Sequence, residues 1–209
     1  MKIILLANKE QKEELIATEP DIAAELIWPA ELTSLQNDME ADACIDLLFG
    51  DTPERIKKLR QLQAKIIIIN SVTEPLKELG PGIVRINGWN TFLKRQIIEA
   101  AGDDSLKKKA EEVFSLLNKK VEWVADIAGF ISPRVVAAII NEAYFGLGQD
   151  VSTKEEIDTA MKLGTNYPYG PFEWSEKIGL KNIYALLKSL SEEQKRYEPA
   201  ELLIKEATV

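Results

Sequence analysis

The chain has 209 residues, 45% hydrophobic and 29% charged, with a formal net charge of −8 and no histidine. That length buries a substantial core as one large domain or two small ones. The missing imidazole excludes every reaction that needs histidine as its acid or base. The acidic balance, without a basic stripe, argues against nucleic acid as a partner.

The opening residues 2–7 form a short apolar run that reads as a buried strand, and residues 11–18 read as a short helix. Residues 24–28 make a second strand, stopped by Pro29, and 43–49 a third. The single cysteine, Cys44, rules out an internal disulfide. In its apolar setting it is expected to act as a small hydrophobe rather than a nucleophile. Gly50-Asp51-Thr52-Pro53 then starts a helix over 54–63, with Thr52 as N-cap and Pro53 as its first residue. Residues 65–70 contain four consecutive isoleucines, the pattern of a parallel strand covered on both faces. Further strands are expected at 83–87 and 96–100, giving a βαβ succession and a doubly wound α/β domain.

Asp103-Asp104-Ser105 caps a helix whose apolar face is Leu106, Ala110, Val113, Phe114 and Leu117. The clusters Lys107-Lys108-Lys109 and Lys119-Lys120 flank it and read as solvated helix surface rather than a phosphate site. Residues 121–125 return to strand, and the sheet domain ends at 126–129. The chain from 131 to about 146 is apolar almost all round, so a central buried helix is expected. Ser152 with Glu155, and Thr153 with Glu156, each offer a capping box for a helix ending near Gly164. After a Pro/Gly loop at 166–171 come helices at 172–178 and 181–190, broken at Gly179. The opening run is too short for a signal-peptide core and no stretch approaches a membrane span, so a reducing cytoplasmic setting is expected.

A dinucleotide-binding α/β domain needs glycines after its first strand, so that backbone N–H groups can approach a pyrophosphate. Here that strand is followed by Asn8-Lys9-Glu10-Gln11-Lys12-Glu13, and the first glycine of the chain is Gly50. Side chains block the approach and Glu10 adds negative charge, so conventional NAD binding is not expected.

The segment Val121-Glu122-Trp123-Val124-Ala125-Asp126-Ile127-Ala128-Gly129-Phe130-Ile131-Ser132-Pro133-Arg134 resembles the domain junction of 3-hydroxyacyl-CoA dehydrogenases. The likeness continues through Asn141-Glu142-Ala143, Glu156-Ile157-Asp158-Thr159-Ala160-Met161-Lys162-Leu163-Gly164 and Pro168-Tyr169-Gly170-Pro171-Phe172-Glu173. Earlier in the chain, Asn70-Ser71-Val72-Thr73, Arg85-Ile86-Asn87-Gly88-Trp89-Asn90 and Ile97-Ile98-Glu99 resemble further family elements. The resemblance implies a shortened Rossmann-like domain at 1–128, with a mostly parallel sheet. It implies an all-α domain at 129–209 of the 6-phosphogluconate dehydrogenase C-terminal-like type.

Family chemistry, oxidation of a 3-hydroxyacyl-CoA with hydride passing to NAD, uses a histidine base, a supporting glutamate, a serine and an asparagine. The resemblance places Asn87 at the histidine and Pro133 at the asparagine, while Glu99 matches the glutamate and Ser71 the serine. An amide has no useful proton affinity near neutral pH, and proline carries no donor side chain. Glu99 reads first as an inherited structural carboxylate and second as a base. Ser71 reads first as a turn residue and second as a substrate ligand. Asn87, Trp89, Asn90 and Arg134 are the candidate substrate-binding residues, although tryptophan in such a place is more often core.

Three functions stay open. One is a catalytically degenerate relative that needs no cofactor or metal and binds an acyl-CoA-like small molecule, or acts as an interaction protein. The resemblance implies a homodimer formed through its helical domain. A second is a working dehydrogenase of fatty-acid metabolism, and the third is other chemistry with Glu99 as base.

Overall fold

A computed structural model describes residues 1–36, 39–50 and 52–208, so Asp51 of the expected turn lies outside the described residues. The chain divides into two compact units, Met1–Phe130 and Ile131–Val209.

The first unit is α/β. Its strands are β1 (Lys2–Leu6), β2 (Glu25–Ile27), β4 (Ala43–Asp46), β6 (Ile67–Asn70), β7 (Ile83–Ile86), β8 (Ile97–Ala101) and β9 (Lys120–Trp123). They form one sheet in the order β2-β1-β4-β6-β7-β8-β9, parallel at every pairing except β7 with β8. A separate two-stranded piece, β3 (Glu40–Ala41) with β5 (Gln63–Ala64), was not anticipated, because two-residue strands carry no periodicity.

Because successive strand side chains point to opposite faces, the isoleucine-rich strands feed two cores at once. Ile3, Leu5, Ala43, Ile45, Ile68, Val84 and Ile86 pack with Leu15 of α1 (Lys9–Ile16). The same cluster takes in Ala110, Val113 and Phe114 of α4 (Asp104–Leu116). Ile4, Leu6, Cys44, Ile67 and Ile69 pack instead with Leu59 of α2 (Pro53–Gln61) and Leu79 of α3 (Leu76–Leu79). Each fully buried isoleucine contributes about 1.5–3 kcal/mol. That is why an unbroken apolar run, rather than an alternating one, marks these strands. Asp103 stands at the N-cap of α4 as expected, but its side chain makes no capping hydrogen bond.

The expectation for the lysine clusters is corrected at Lys119. It is 4% exposed rather than solvated, because the turn after α4 aims its amine inward at backbone carbonyls.

The second unit is helical: α5 (Ser132–Gly148), α6 (Lys154–Thr165), α7 (Pro171–Ile178), α8 (Leu180–Glu193) and α9 (Glu201–Ala207). The α6 capping box is the Thr153 and Glu156 pair, not Ser152 and Glu155, since Glu156 also accepts from Ser152. Helix α5 is buried along Val136, Ala137, Ile140, Ala143 and Tyr144, while Val135 and Phe145, with Ile131 at its N-cap, are exposed. The all-round burial expected for it is therefore corrected within this chain: one unit of this size covers only one side.

The family-like motifs of this unit have a local reason. Asp158 of α6 accepts the N–H groups of Phe172 (2.8 Å) and Glu173 (3.0 Å), so one carboxylate caps the start of α7. A Cβ at Gly170 would lie 2.3 Å from that carboxylate, so only glycine fits there.

Candidate functional site

In open α/β sheets, ligands bind beyond the carboxyl ends of the strands where the strand order reverses. Here that reversal falls between β1 and β4, and its surroundings decide what can bind. Asn8 accepts the Gln11 N–H at 2.8 Å, and the Gln11 side-chain oxygen accepts the Asn8 N–H at 3.0 Å. This reciprocal cap occupies N–H groups that a pyrophosphate would otherwise need at the N-terminus of α1. Gln11 is 4% exposed, and its amide donates to the carbonyls of Leu47 (3.1 Å) and Gly88 (3.0 Å). The side chain thus ties the turn after β1 to the turns after β4 and β7. A nicotinamide dinucleotide does not fit this arrangement: its phosphates would have to displace a buried, fully bonded glutamine with no glycine to make room.

The sequence shows the missing glycines directly and the plug only through its cap. The signal was present, because Asn followed three residues later by Gln is a capping-box pattern.

Next to this turn, Asn70 accepts the Gly88 N–H at 2.9 Å and donates to the Leu47 carbonyl at 3.2 Å. A Cβ on Gly88 would come within 2.9 Å of Asn70 and Leu47, so the close approach requires glycine. At the end of β4, the buried Asp46 is held by Arg55 through two bonds of 2.7 Å. Burial pushes the Asp46 carboxyl above its usual range, with Arg55 pulling the other way. A hollow of about 360 Å³ lies here, lined by Leu6, Leu32, Leu48, Thr52, Arg55 and Lys58, with Glu31 and Glu54 also lining it.

The structure brings Asn87 and Glu99 together. The Asn87 amide donates to the Glu99 carboxylate at 3.4 Å, and both are buried at 3% and 8% exposure. The Asn87 oxygen accepts the Trp89 N–H at 3.4 Å. This pair sits where antiparallel β7 and β8 lie side by side, with Asn87 N–H bonded to the Glu99 carbonyl at 3.1 Å. It is a donor–acceptor contact, and neither atom of the amide can take a proton from a hydroxyl.

Ser71 donates to the Glu74 carbonyl at 2.9 Å, the local turn bond expected of its first reading. Trp89 is 7% exposed and part of the core, while Asn90 is half-buried. Pro133 and Arg134 belong to the second unit. There Pro133 is buried in the first turn of α5, and Arg134 lies 5.7 Å from the Tyr197 ring centre.

One residue that sequence reasoning did not single out organises the turns around Ser71. Arg85, fully buried on β7, is ion-paired with Asp126 at 2.6 Å. It donates to the Ser71 carbonyl at 2.9 Å and the Ile127 carbonyl at 2.5 Å, and stacks 4.2 Å from the Phe130 ring centre. Asp126 in turn accepts the Leu76 N–H at 2.9 Å. Among the described residues no group of three or more Cys, Asp or Glu is placed to hold a metal ion, and no helix is long and apolar enough to cross a membrane.

A doubly wound, mostly parallel sheet domain followed by an all-α domain is the build of the two-domain dehydrogenases. Residues 129–207 match the C-terminal domain of 3-hydroxyacyl-CoA dehydrogenase. The 3-hydroxyadipyl-CoA dehydrogenase of Escherichia coli (strain K12) is 42% identical over 106 residues, which cover 50% of this chain and 22% of that protein. The 3-hydroxybutyryl-CoA dehydrogenase of Bradyrhizobium diazoefficiens is 36% identical over 107 residues, covering 50% of this chain and 36% of that one. The matched stretches thus span well under half the length of these relatives. The crystal structure of (S)-3-hydroxybutyryl-CoA dehydrogenase from Ralstonia eutropha superposes with a TM-score of 0.76 over 98% of this chain and 92% of that one. At 19% identity, that likeness establishes the fold.

Proposed function

We propose that this chain keeps the fold of the 3-hydroxyacyl-CoA dehydrogenases without their redox chemistry, and serves as a binding or interaction protein. The observation that carries this reading is Gln11, buried in the turn where a dinucleotide phosphate would lie and bonded to Leu47 and Gly88. Asn87 supports it independently, because an amide bonded to Glu99 supplies no base. The ligand of this reading is an acyl-CoA-like molecule. Arg55 and Lys58 beside the hollow after β4 offer cationic partners to its phosphates. Partnership with a second copy runs through the helical unit, whose Ile131, Val135 and Phe145 remain exposed as apolar surface.

The deciding experiment incubates the chain with NADH and acetoacetyl-CoA. No change in NADH fluorescence on titration and no NADH oxidation are expected, while a CoA thioester alters tryptophan emission. NADH turnover above background overturns the reading. It would favour the alternative of an active dehydrogenase, which the match of residues 129–207 to the dehydrogenase C-terminal domain supports. Light scattering on the purified protein tests the homodimer, and a monomer at micromolar concentration removes it. For the third reading, catalysis by Glu99, a Glu99→Gln variant that retains any discovered turnover eliminates that base.

A further inference from the structure

The segment from Asn87 to Gln96 carries Asn87, Trp89 and Asn90, and it is held from below by two charged side chains of distant elements. Lys119, in the turn between α4 and β9, donates from its amine to the carbonyl of Leu93 and, at 2.8 Å, to that of Arg95. From α1, Glu14 accepts the Thr91 N–H at 2.6 Å. Within the segment, Phe92 N–H bonds to Trp89 and Arg95 N–H to Phe92, both at 3.2 Å.

Thr91 shows why such a grip is needed. Its φ is +79°, a left-handed conformation that a β-branched residue rarely adopts. Its hydroxyl and the second oxygen of Glu14 are both buried with no hydrogen-bond partner. Strain and orphaned polar atoms of this kind persist only where surrounding contacts over-determine the backbone.

We infer that Lys119 and Glu14 are positioning residues for the 87–96 segment, and that the charge on Lys119 sets how tightly the segment is held. Lys119 is 4% exposed and faces Glu14 from α1. The neighbouring hollow adds Glu19 at the end of α1, Lys94 in the segment itself and Lys120 on β9. Burial pushes the Lys119 ammonium down from 10.5 to about 8, with the Glu14 carboxylate partly opposing the shift.

The sign follows from proton linkage. Lifting the segment exposes Lys119 to water and restores its ordinary proton affinity, so the open form binds the proton more tightly than the closed one. Opening is therefore easiest below pH 8, where Lys119 is charged in both forms. The grip tightens as pH rises from 8 towards 10.5. Between pH 7 and pH 9 this amounts to about a tenfold fall in the opening constant. The inference concerns the closure of this segment and holds whatever the site binds.

Amide hydrogen exchange read as protection factors tests it, with Thr91, Phe92 and Arg95 as reporters and the β6 amides as internal reference. In the unaltered chain the reporters should gain about tenfold protection from pH 7 to pH 9 relative to β6. In Lys119→Met the rise disappears. In Glu14→Gln the amide still accepts from Thr91, but the buried ammonium loses its supporting charge, so the rise becomes steeper. Should Lys119→Met fail to fold, Lys119→Arg serves instead, because a guanidinium stays charged throughout and yields a flat profile. A flat profile in the unaltered chain, or an equal rise in a folded Lys119 variant, overturns the inference.

Discussion

Replacing Arg85 with methionine removes the guanidinium and keeps much of its apolar stem. The structure sets the size of the effect. Arg85 is fully buried, and its loss leaves the carbonyls of Ser71 and Ile127 without their charged donor while Asp126 loses its ion-pair partner. A hydrogen bond to a charged group contributes about 1.5–3 kcal/mol net. Two such bonds are offset in part because the variant no longer desolvates a guanidinium. Burial already holds the Arg85 pKa below its ordinary value, a sign of that desolvation cost. Asp126 is 33% exposed, so water partly replaces its partner and that bond adds little more. The expected net loss is about 3 kcal/mol, which lowers Tm by roughly 6–12 °C for a chain of this size. Urea denaturation followed by circular dichroism measures it, with the slope of the transition unchanged. A double-mutant cycle with Asp126→Asn should return a coupling of about 1 kcal/mol. A loss below about 0.5 kcal/mol, typical of a surface position, would refute the view that Arg85 holds these turns together.

Further outcomes follow from single contacts. Gly170→Ala drives the Asp158 carboxylate off the first turn of α7 and should cost about 2–3 kcal/mol in thermal denaturation, whereas a surface glycine such as Gly148 tolerates alanine. Thr91→Gly removes both a strained φ and an unpartnered buried hydroxyl. It should leave stability unchanged or raise it by about 1 kcal/mol, measured by the same urea titration, and a loss above that would contradict the strain. Cys44 is buried, and desolvation with the nearby Asp46 charge pushes its thiol up to about 12. A disulfide reagent at pH 8 should leave it unmodified in the native protein and label it fully in denaturant.

The strands were legible because burial on both faces leaves a compositional trace. The isoleucine run before Asn70, and the apolar stretches around Ile4 and Ile45, could serve no exposed element. Thr52 and Pro53 announced α2, and the Thr153 and Glu156 box announced α6, because caps are satisfied within four residues. What escaped the sequence were contacts between distant positions. Lys119 looks like any solvated lysine until the 87–96 segment brings two carbonyls to its amine. Gln11 looks like an ordinary helix residue until β4 and β7 place Leu47 and Gly88 against it.

The same division runs through the candidate site. The sequence by itself determined that no imidazole is available, that position 87 carries an amide, and that the first turn lacks glycine. These are statements about which atoms exist, and no folding changes them. Only the tertiary structure decided what those atoms do. Asn87 bonds the Glu99 carboxylate, and Gln11 fills the turn that glycine would have left open. Side-chain chemistry is local to a residue, whereas burial and hydrogen-bond pairing depend on which residues 36, 77 or 12 positions away arrive beside it.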